Sequence, residues 1–298
     1  MRVFLTGATG FIGTAVADEL LAAGHGVLGV ARTDEGARTL ASRGVEPHRG
    51  DLTDHGSFIT GAQACDAVIH CAFIHDFSRF VENIEIEQQT VIAMLDALAG
   101  SGKPFIATSG IAMLAPGRVA TENDRPQPWG RGATETLVLD AASRGLRTAV
   151  IRLPPITHDS GGGGFLPALV QIARTQGVAA YVGDGANRWP AGHRRDAARL
   201  YRLALEGGEP GSAYMAVADE GLPMRDIAEA ISRRLGVPTG SVSQEDAQAH
   251  FGWLGMFSGV DMPASSAITR DRLGWRPSNP GLIEDIDTAA VLAGQTIG

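Results

Sequence analysis

A chain of 298 residues, 44% apolar and 19% charged, is long enough for one large domain or two smaller ones, each with its own core. The net charge of −8, with no block of like charge, argues against a nucleic-acid or anionic-membrane partner. Two cysteines, Cys65 and Cys71, are too few for a disulfide framework, no His/Cys cluster suggests a metal, and no apolar run approaches the roughly 20 residues of a membrane span.

In chain order, MRVFLTG (1–7) is a short apolar run ending in glycine and predicts a buried strand. Starting so close to residue 1, it leaves no room for a signal peptide, so a soluble cytoplasmic protein is expected. FIGTAVADELLAAGH predicts a helix that Gly24 stops, GVLGVAR a second strand, DEGARTLASRG a second helix and VEPHRGDL a short third strand. CDAVIHCAF is a fourth strand, and residues 81–98, with Ile84, Val91, Leu95 and Leu98 in step, a long helix. KPFIATSG is a fifth strand, QPWGRGATE (127–135) leads into a helix, and RTAVIRLPP is a sixth strand. Strands alternating with helices across Gly-rich turns predict an α/β fold, a doubly wound parallel sheet over residues 1–156, with possible later returning segments. Past Pro155 the rhythm changes. THDSGGGGF (157–165) reads as a linker or a hinge, and residues 157–298 are expected to form mainly a smaller α/β substrate domain. HFGWLGMFSGVDMP (250–263) is dense in aromatic and methionine residues, which fits core or subunit packing or, more sharply, an apolar substrate wall.

TGATGFIG places Gly7, Gly10 and Gly13 between the first strand and first helix. A tight turn, a close backbone approach to a pyrophosphate, and close helix–strand packing each call for a glycine there, and the helix N-terminus offers free N–H groups to phosphate. Thr9, Phe11 and Ile12 belong to the same turn. The second strand ends Ala31-Arg32-Thr33, where a carboxylate would favour NAD; Arg32, with its planar fork of donors, suits a ribose 2′-phosphate, so NADP(H) is expected over NAD(H), with Asp34 as the residue able to reverse that preference. In GDLTD, Asp51 and Leu52 lie where an adenine edge is met, Asp51 also being a natural turn residue.

TGATGFIG, GDLTD, VIHCAF, FIATSG and IRLPP, in this order, resemble the extended and atypical branch of the short-chain dehydrogenase/reductase superfamily, which includes nucleotide-sugar epimerases and 3β-hydroxysteroid-dehydrogenase-like proteins. RRDAARLYRLALE and RDRLGWRP are similar to C-terminal segments of that branch, so the likeness covers nearly the whole chain. The resemblance implies that Asp51 and Leu52 flank adenine, that Cys71, Ala72 and Phe73 line the cofactor, that Pro154 and Pro155 lie near the nicotinamide, and that Asn83 is structural. It implies a small-molecule substrate and a homodimer through the helices starting near Val81 and Ala133.

The resemblance also calls for a serine after the fifth strand and a Tyr-x-x-x-Lys on the next helix. Ser109-Gly110 stands where the serine pair belongs. The tyrosine and lysine are absent: Tyr181, Tyr201 and Tyr214 are the only tyrosines, and Lys103 the only lysine. With Glu135 as the marker, Arg131 replaces the lysine and Gln127 the tyrosine. Arg131 can hold a ribose but not exchange its proton, and Gln127 can orient a carbonyl without titrating. Proton-transfer candidates are then Ser109, His158 just beyond the sixth strand, and His193 in NRWPAGHRRD, with His75 a fourth; His70, inside an apolar strand, reads as a core histidine. Three functions follow: an NADP(H)-dependent oxidoreductase acting on a small carbonyl, enone or imine-like compound; a non-catalytic NADP(H) sensor; and an epimerase or dehydratase, which the missing tyrosine disfavours most.

Overall fold

The structure is a computed structural model and describes residues 1–76, 79–160 and 162–288. Its centre is a parallel sheet of seven strands: β1 (Arg2–Thr6), β2 (Gly26–Ala31), β3 (Glu46–Arg49), β4 (Ala67–His70), β5 (Pro104–Gly110), β6 (Arg147–Leu153) and β10 (Ser212–Met215), in the order β10-β6-β5-β4-β1-β2-β3. The period of two in a strand sends alternate side chains of β1 to opposite faces. Val3 and Leu5 meet α1 (Phe11–Ala22), α2 (Asp34–Ser42) and α7 (Arg194–Gly207), whereas Phe4 packs with Phe58 of α3 (His55–Gln63) and shares a core with α4 (Phe80–Leu98) and α5 (Arg131–Asp140). Both faces are therefore covered, as a parallel sheet requires. Strand order reverses between β1 and β4, so Thr6 and His70 are register partners whose chains turn away from each other just beyond. A crevice opens at such a switch point.

Beyond β6 the chain builds smaller sheets. β7 (Ile156–His158) pairs in parallel with β9 (Arg188–His193), and β9 pairs antiparallel with β11 (Asp219–Pro223); β8 (Ala179–Val182) pairs with β12 (Thr239–Val242). With α6 (Leu166–Gln176), α8 (Met224–Leu235), α9 (Ala247–Phe251), α10 (Gly255–Ser258) and α12 (Leu282–Thr288) they enclose a second core around Trp189, Leu169, Ile227 and Phe251, while α11 (Ala267–Leu273) lies against β10. Two later segments return to the main sheet. β10 extends its edge beside β6, and α7 packs against α1. The expected α/β architecture with a smaller C-terminal α/β part is present. Among the described residues, no helix is long and apolar enough to cross a membrane.

One helix has no counterpart in the sequence reading, and one local expectation needs correction. Helix α3 had no sequence signal, because Gly56 and Gly61 dilute its short apolar face; Asp54 starts it by accepting from the Ser57 amide. The glycine run reads in the sequence as a linker or a hinge, whereas Gly162–Gly164 form a packed turn. Each has positive φ, and a Cβ on Gly163 would collide with the Phe11 ring and lie 2.6 Å from the Thr157 carbonyl oxygen. Gly161 lies outside the described residues.

Candidate functional site

Gly7 leaves β1 with φ of 66°, and a Cβ there would lie 2.7 Å from the Cys71 carbonyl carbon, at the end of the neighbouring strand. A Cβ on Gly13, in the first turn of α1, would strike the Gly7 carbonyl oxygen. Strand, turn and helix can approach this closely only with glycine at both places, and the approach leaves the N-terminus of α1 bare toward the crevice. Thr6 ties the two strand ends together: its hydroxyl accepts from the amides of Cys71 (3.1 Å) and Ala72 (3.2 Å) and bonds His70 Nδ1 at 2.9 Å. Burial, helped by the charge of Arg131, pushes the His70 imidazole down to about 3, so it is neutral.

From this cradle a cleft of about 2140 Å³ runs the length of the switch point. At one end lie Arg32, Asp51 and Leu52, in the middle Thr9, Gly10, Phe11 and Ile12, and toward the other end Cys71, Ala72, Phe73, Ser109, Gln127, Arg131 and Pro154. Arg32 is exposed, and Asp34, outside the cleft lining, pairs with Arg49 Nη1 at 3.4 Å. Asp51 Oδ1 accepts from both the amide and the hydroxyl of Thr53, which holds its carboxyl below the usual carboxylate range. Burial pushes the Cys71 thiol up to about 11, so it is no nucleophile near neutrality.

Arg131 opens α5 and is held from three sides. It donates to Glu87 Oε1 at 2.8 Å and to the Thr108 carbonyl at 2.8 Å, and its guanidinium stacks 4.6 Å from the centre of the Phe73 ring. Glu87, on α4, is buried, and burial raises its pKa against the pull of Arg131. Glu135 is turned inward as well, to Arg152 Nε at 2.8 Å, while Arg152 collects the carbonyls of Thr121, Glu122 and Asp124. Sequence reasoning missed Glu87 and Arg152, since a carboxylate in an amphipathic helix and an arginine in a strand give no sign of a buried partner.

Two of the proposed proton carriers do not reach the cleft. His158 is fully buried in β7 with Nδ1 2.6 Å from Asp285 of α12, and His193 starts α7 by accepting from the Arg195 amide at 3.1 Å, its Nε2 3.9 Å from the same aspartate. Both anchor α12 and α7, because β7 turns back into the second sheet instead of facing the crevice. Asp196, in the first turn of α7, accepts from the Ser278 and Asn279 amides and from the Asn279 side chain. Arg188 pairs with Asp261, and Trp189 is buried. Asn83 donates to the Asp76 carbonyl at 2.8 Å, a structural contact. His75 does line the cleft, its ring edge-on to Phe73 at 5.3 Å, and burial with the nearby Arg131 charge lowers its pKa. Among the described residues no tyrosine or lysine lines the cleft: Tyr201 is buried with its hydroxyl 2.7 Å from Thr108, and Tyr214 accepts from the Glu209 amide.

Residues 3–216 match the model of the NAD dependent epimerase/dehydratase family. The chain belongs to that family. It is thus an enzyme of the NAD(P)-dependent oxidoreductase and epimerase kind, built on the short-chain dehydrogenase/reductase fold. It is 44% identical over 293 residues to an uncharacterized protein of Schizosaccharomyces pombe, covering 97% of this chain and 99% of that one. A 2-alkyl-3-oxoalkanoate reductase of Stenotrophomonas maltophilia is 29% identical over 257 residues, covering 80% of this chain and 77% of the reductase. The Thermus thermophilus UDP-glucose 4-epimerase in complex with NAD superposes with a TM-score of 0.76 at 21% identity, over 99% of this chain and 100% of the epimerase, a likeness of fold.

Proposed function

We propose that this member of the family is an NADP(H)-dependent oxidoreductase that acts on a small carbonyl, enone or imine-like substrate without a catalytic tyrosine. One observation carries the reading: a single cleft joins the glycine cradle and Arg32 to Ser109 and Arg131, with room beyond for a substrate. Residues 1–156, with α7 and β10 returning, form the dinucleotide half, and residues 157–298 supply mainly the substrate half.

In this reading Gly7, Thr9, Gly10, Phe11, Ile12 and Gly13 present backbone to the pyrophosphate at the N-terminus of α1. Arg32 takes the 2′-phosphate, a role favoured by the pairing of Asp34 with Arg49. Asp51 and Leu52 flank adenine, while Cys71, Ala72, Phe73 and Pro154 border the nicotinamide half. Arg131 spends Nε and Nη2 on Glu87 and Thr108, which leaves Nη1 for the ribose hydroxyls. When bound, the dinucleotide supplies a hydride for the substrate carbon, and the substrate oxygen takes a proton. Ser109 and Gln127 orient that oxygen, and Ser109 and His75 are the groups at this end that exchange protons with it and with water. The reductase of Stenotrophomonas maltophilia, named for a 3-oxo substrate, supports carbonyl chemistry. A soluble cytoplasmic homodimer through α4 and α5 fits the exposed Ile92 and Leu137 on those adjacent helices.

NADPH depletion across a panel of carbonyl compounds tests the reading, with Ser109→Ala and Arg131→Ala expected to lower turnover at least tenfold. The absence of a tyrosine or lysine along the cleft favours a second reading, an NADP(H) sensor. Tight NADPH binding with no turnover of any compound would select it.

A further inference from the structure

We infer that the substrate of this cleft is an uncharged carbonyl compound bearing an aromatic ring or an alkyl chain, not a nucleoside diphosphate sugar; the inference rests on the oxidoreductase reading above. The first ground is the distribution of exposed apolar side chains. Phe80, Val81, Trp129, Trp253 and Met256 are all exposed, Trp129 at 64% and Met256 at 67%, and all five line this one cleft. Scattered exposed apolar residues need no explanation, but a set converging on one concavity marks a binding surface. The wall is backed by further aromatic packing: Phe165 meets Trp253 edge-to-face at 5.2 Å and lies 6.0 Å from the buried Trp189.

The second ground is charge. Side-chain recognition of a second diphosphate, beyond the one held at the cofactor turn, calls for uncommitted guanidinium or ammonium groups. Among the described cleft residues the cations are Arg32, Arg131 and Arg174. Arg32 lies at the adenosine end, Arg131 gives Nε and Nη2 to Glu87 and the Thr108 carbonyl and Nη1, in the reading above, to the cofactor ribose, and Arg174 is not without a partner. Glu85, also at the cleft, repels a second anion. Arg188, on the substrate side, is closed off by a two-pronged bond to Asp261, whose carboxyl it holds below the usual range.

The test measures NADPH oxidation by the full-length protein with straight-chain aldehydes from propanal to octanal, with 2-naphthaldehyde and with UDP-glucose. The expected result is a rise in kcat/KM of about fourfold per added methylene until the wall is spanned, turnover of 2-naphthaldehyde, and neither turnover nor inhibition by UDP-glucose. Trp129→Ala and Met256→Ala flatten the chain-length dependence while leaving the NADPH dissociation constant within twofold. A kcat/KM independent of chain length, or competitive inhibition by UDP-glucose, overturns the substrate inference and leaves the reductase standing. No oxidation of NADPH with any compound removes the reductase reading, and this inference falls with it.

Discussion

Arg131 Nη2 lies 2.8 Å from Glu87 Oε1, and the two ends of this pair differ sharply in exposure: 26% of the arginine side chain meets solvent but 1% of the glutamate. The residue that stands in for the family's lysine is therefore also the counter-ion of a buried carboxylate. Arg131→Ala strands Glu87 without its partner and should cost about 3 kcal/mol in urea unfolding. The double variant Arg131→Ala/Glu87→Gln should regain most of that stability without regaining NADPH affinity. If the double variant binds NADPH as tightly as wild type, the ribose role of Arg131 is wrong.

Cofactor choice should rest on Arg32. Arg32→Ala should weaken NADPH binding by about 10- to 100-fold, the range of a charge-assisted contact, and change NADH binding less than threefold. Fluorescence titration with both dinucleotides checks this. Tighter binding of NADH than NADPH by the wild type would sink the assignment.

The turn at Gly162–Gly164 should behave as part of the site. Gly163→Ala should cost about 2–4 kcal/mol and weaken NADPH binding about tenfold, because its Cβ displaces Phe11 of the cofactor turn. Gly177→Ala serves as the control. It has φ of 70° and nothing within 4 Å of the added carbon, so only about 1 kcal/mol of backbone strain is expected, with no effect on NADPH.

Stability should fall with acidification through His70. Its folded pKa of about 3 is below the ordinary imidazole value of 6.5, so the unfolded chain takes up a proton that the folded one refuses. The contribution is complete above pH 6.5 and is lost as pH falls from there toward 3, at up to about 1.4 kcal/mol per pH unit. His193 and His75, also depressed by burial, act in the same direction. In denaturation at pH 7, 6 and 5, His70→Gln should show a slope smaller by about one proton. An unchanged slope would show that His70 is not the group refusing it.

The seven-stranded half of the fold was legible because its signals are local. Apolar runs, a glycine turn and a following helix sit within a few residues of each other, and every residue expected there from Gly7 to Pro154 lines the cleft. Proton transfer was not legible. His158 ends β7, just beyond β6, and His193 ends β9, but which side of a sheet a strand end faces depends on its pairing. Because β7 pairs with β9, both rings are drawn to Asp285, more than ninety residues further along the chain. Glu87 was hidden for a related reason, since a helix pattern does not reveal what a neighbouring element brings. The aromatic density at 250–263 was seen, but it divides: Phe251 and Leu254 fill the core while Trp253 and Met256 face the cleft.

The segment that carries Gln127 in place of the family's tyrosine is bounded by fixed points. Arg152 grips the carbonyl of Asp124 on one side, and Glu87 grips Arg131 on the other. Residues 125–130 between them carry Gln127 and Trp129 and bear little of the fold's own packing. Such a stretch can be exchanged as a cassette: its length is set by the two anchors and Gly130 by its φ of 62°, while the side chains between can change without disturbing the core. Retuning this scaffold to a different carbonyl compound would begin there, with the sheet and the cofactor turn left untouched.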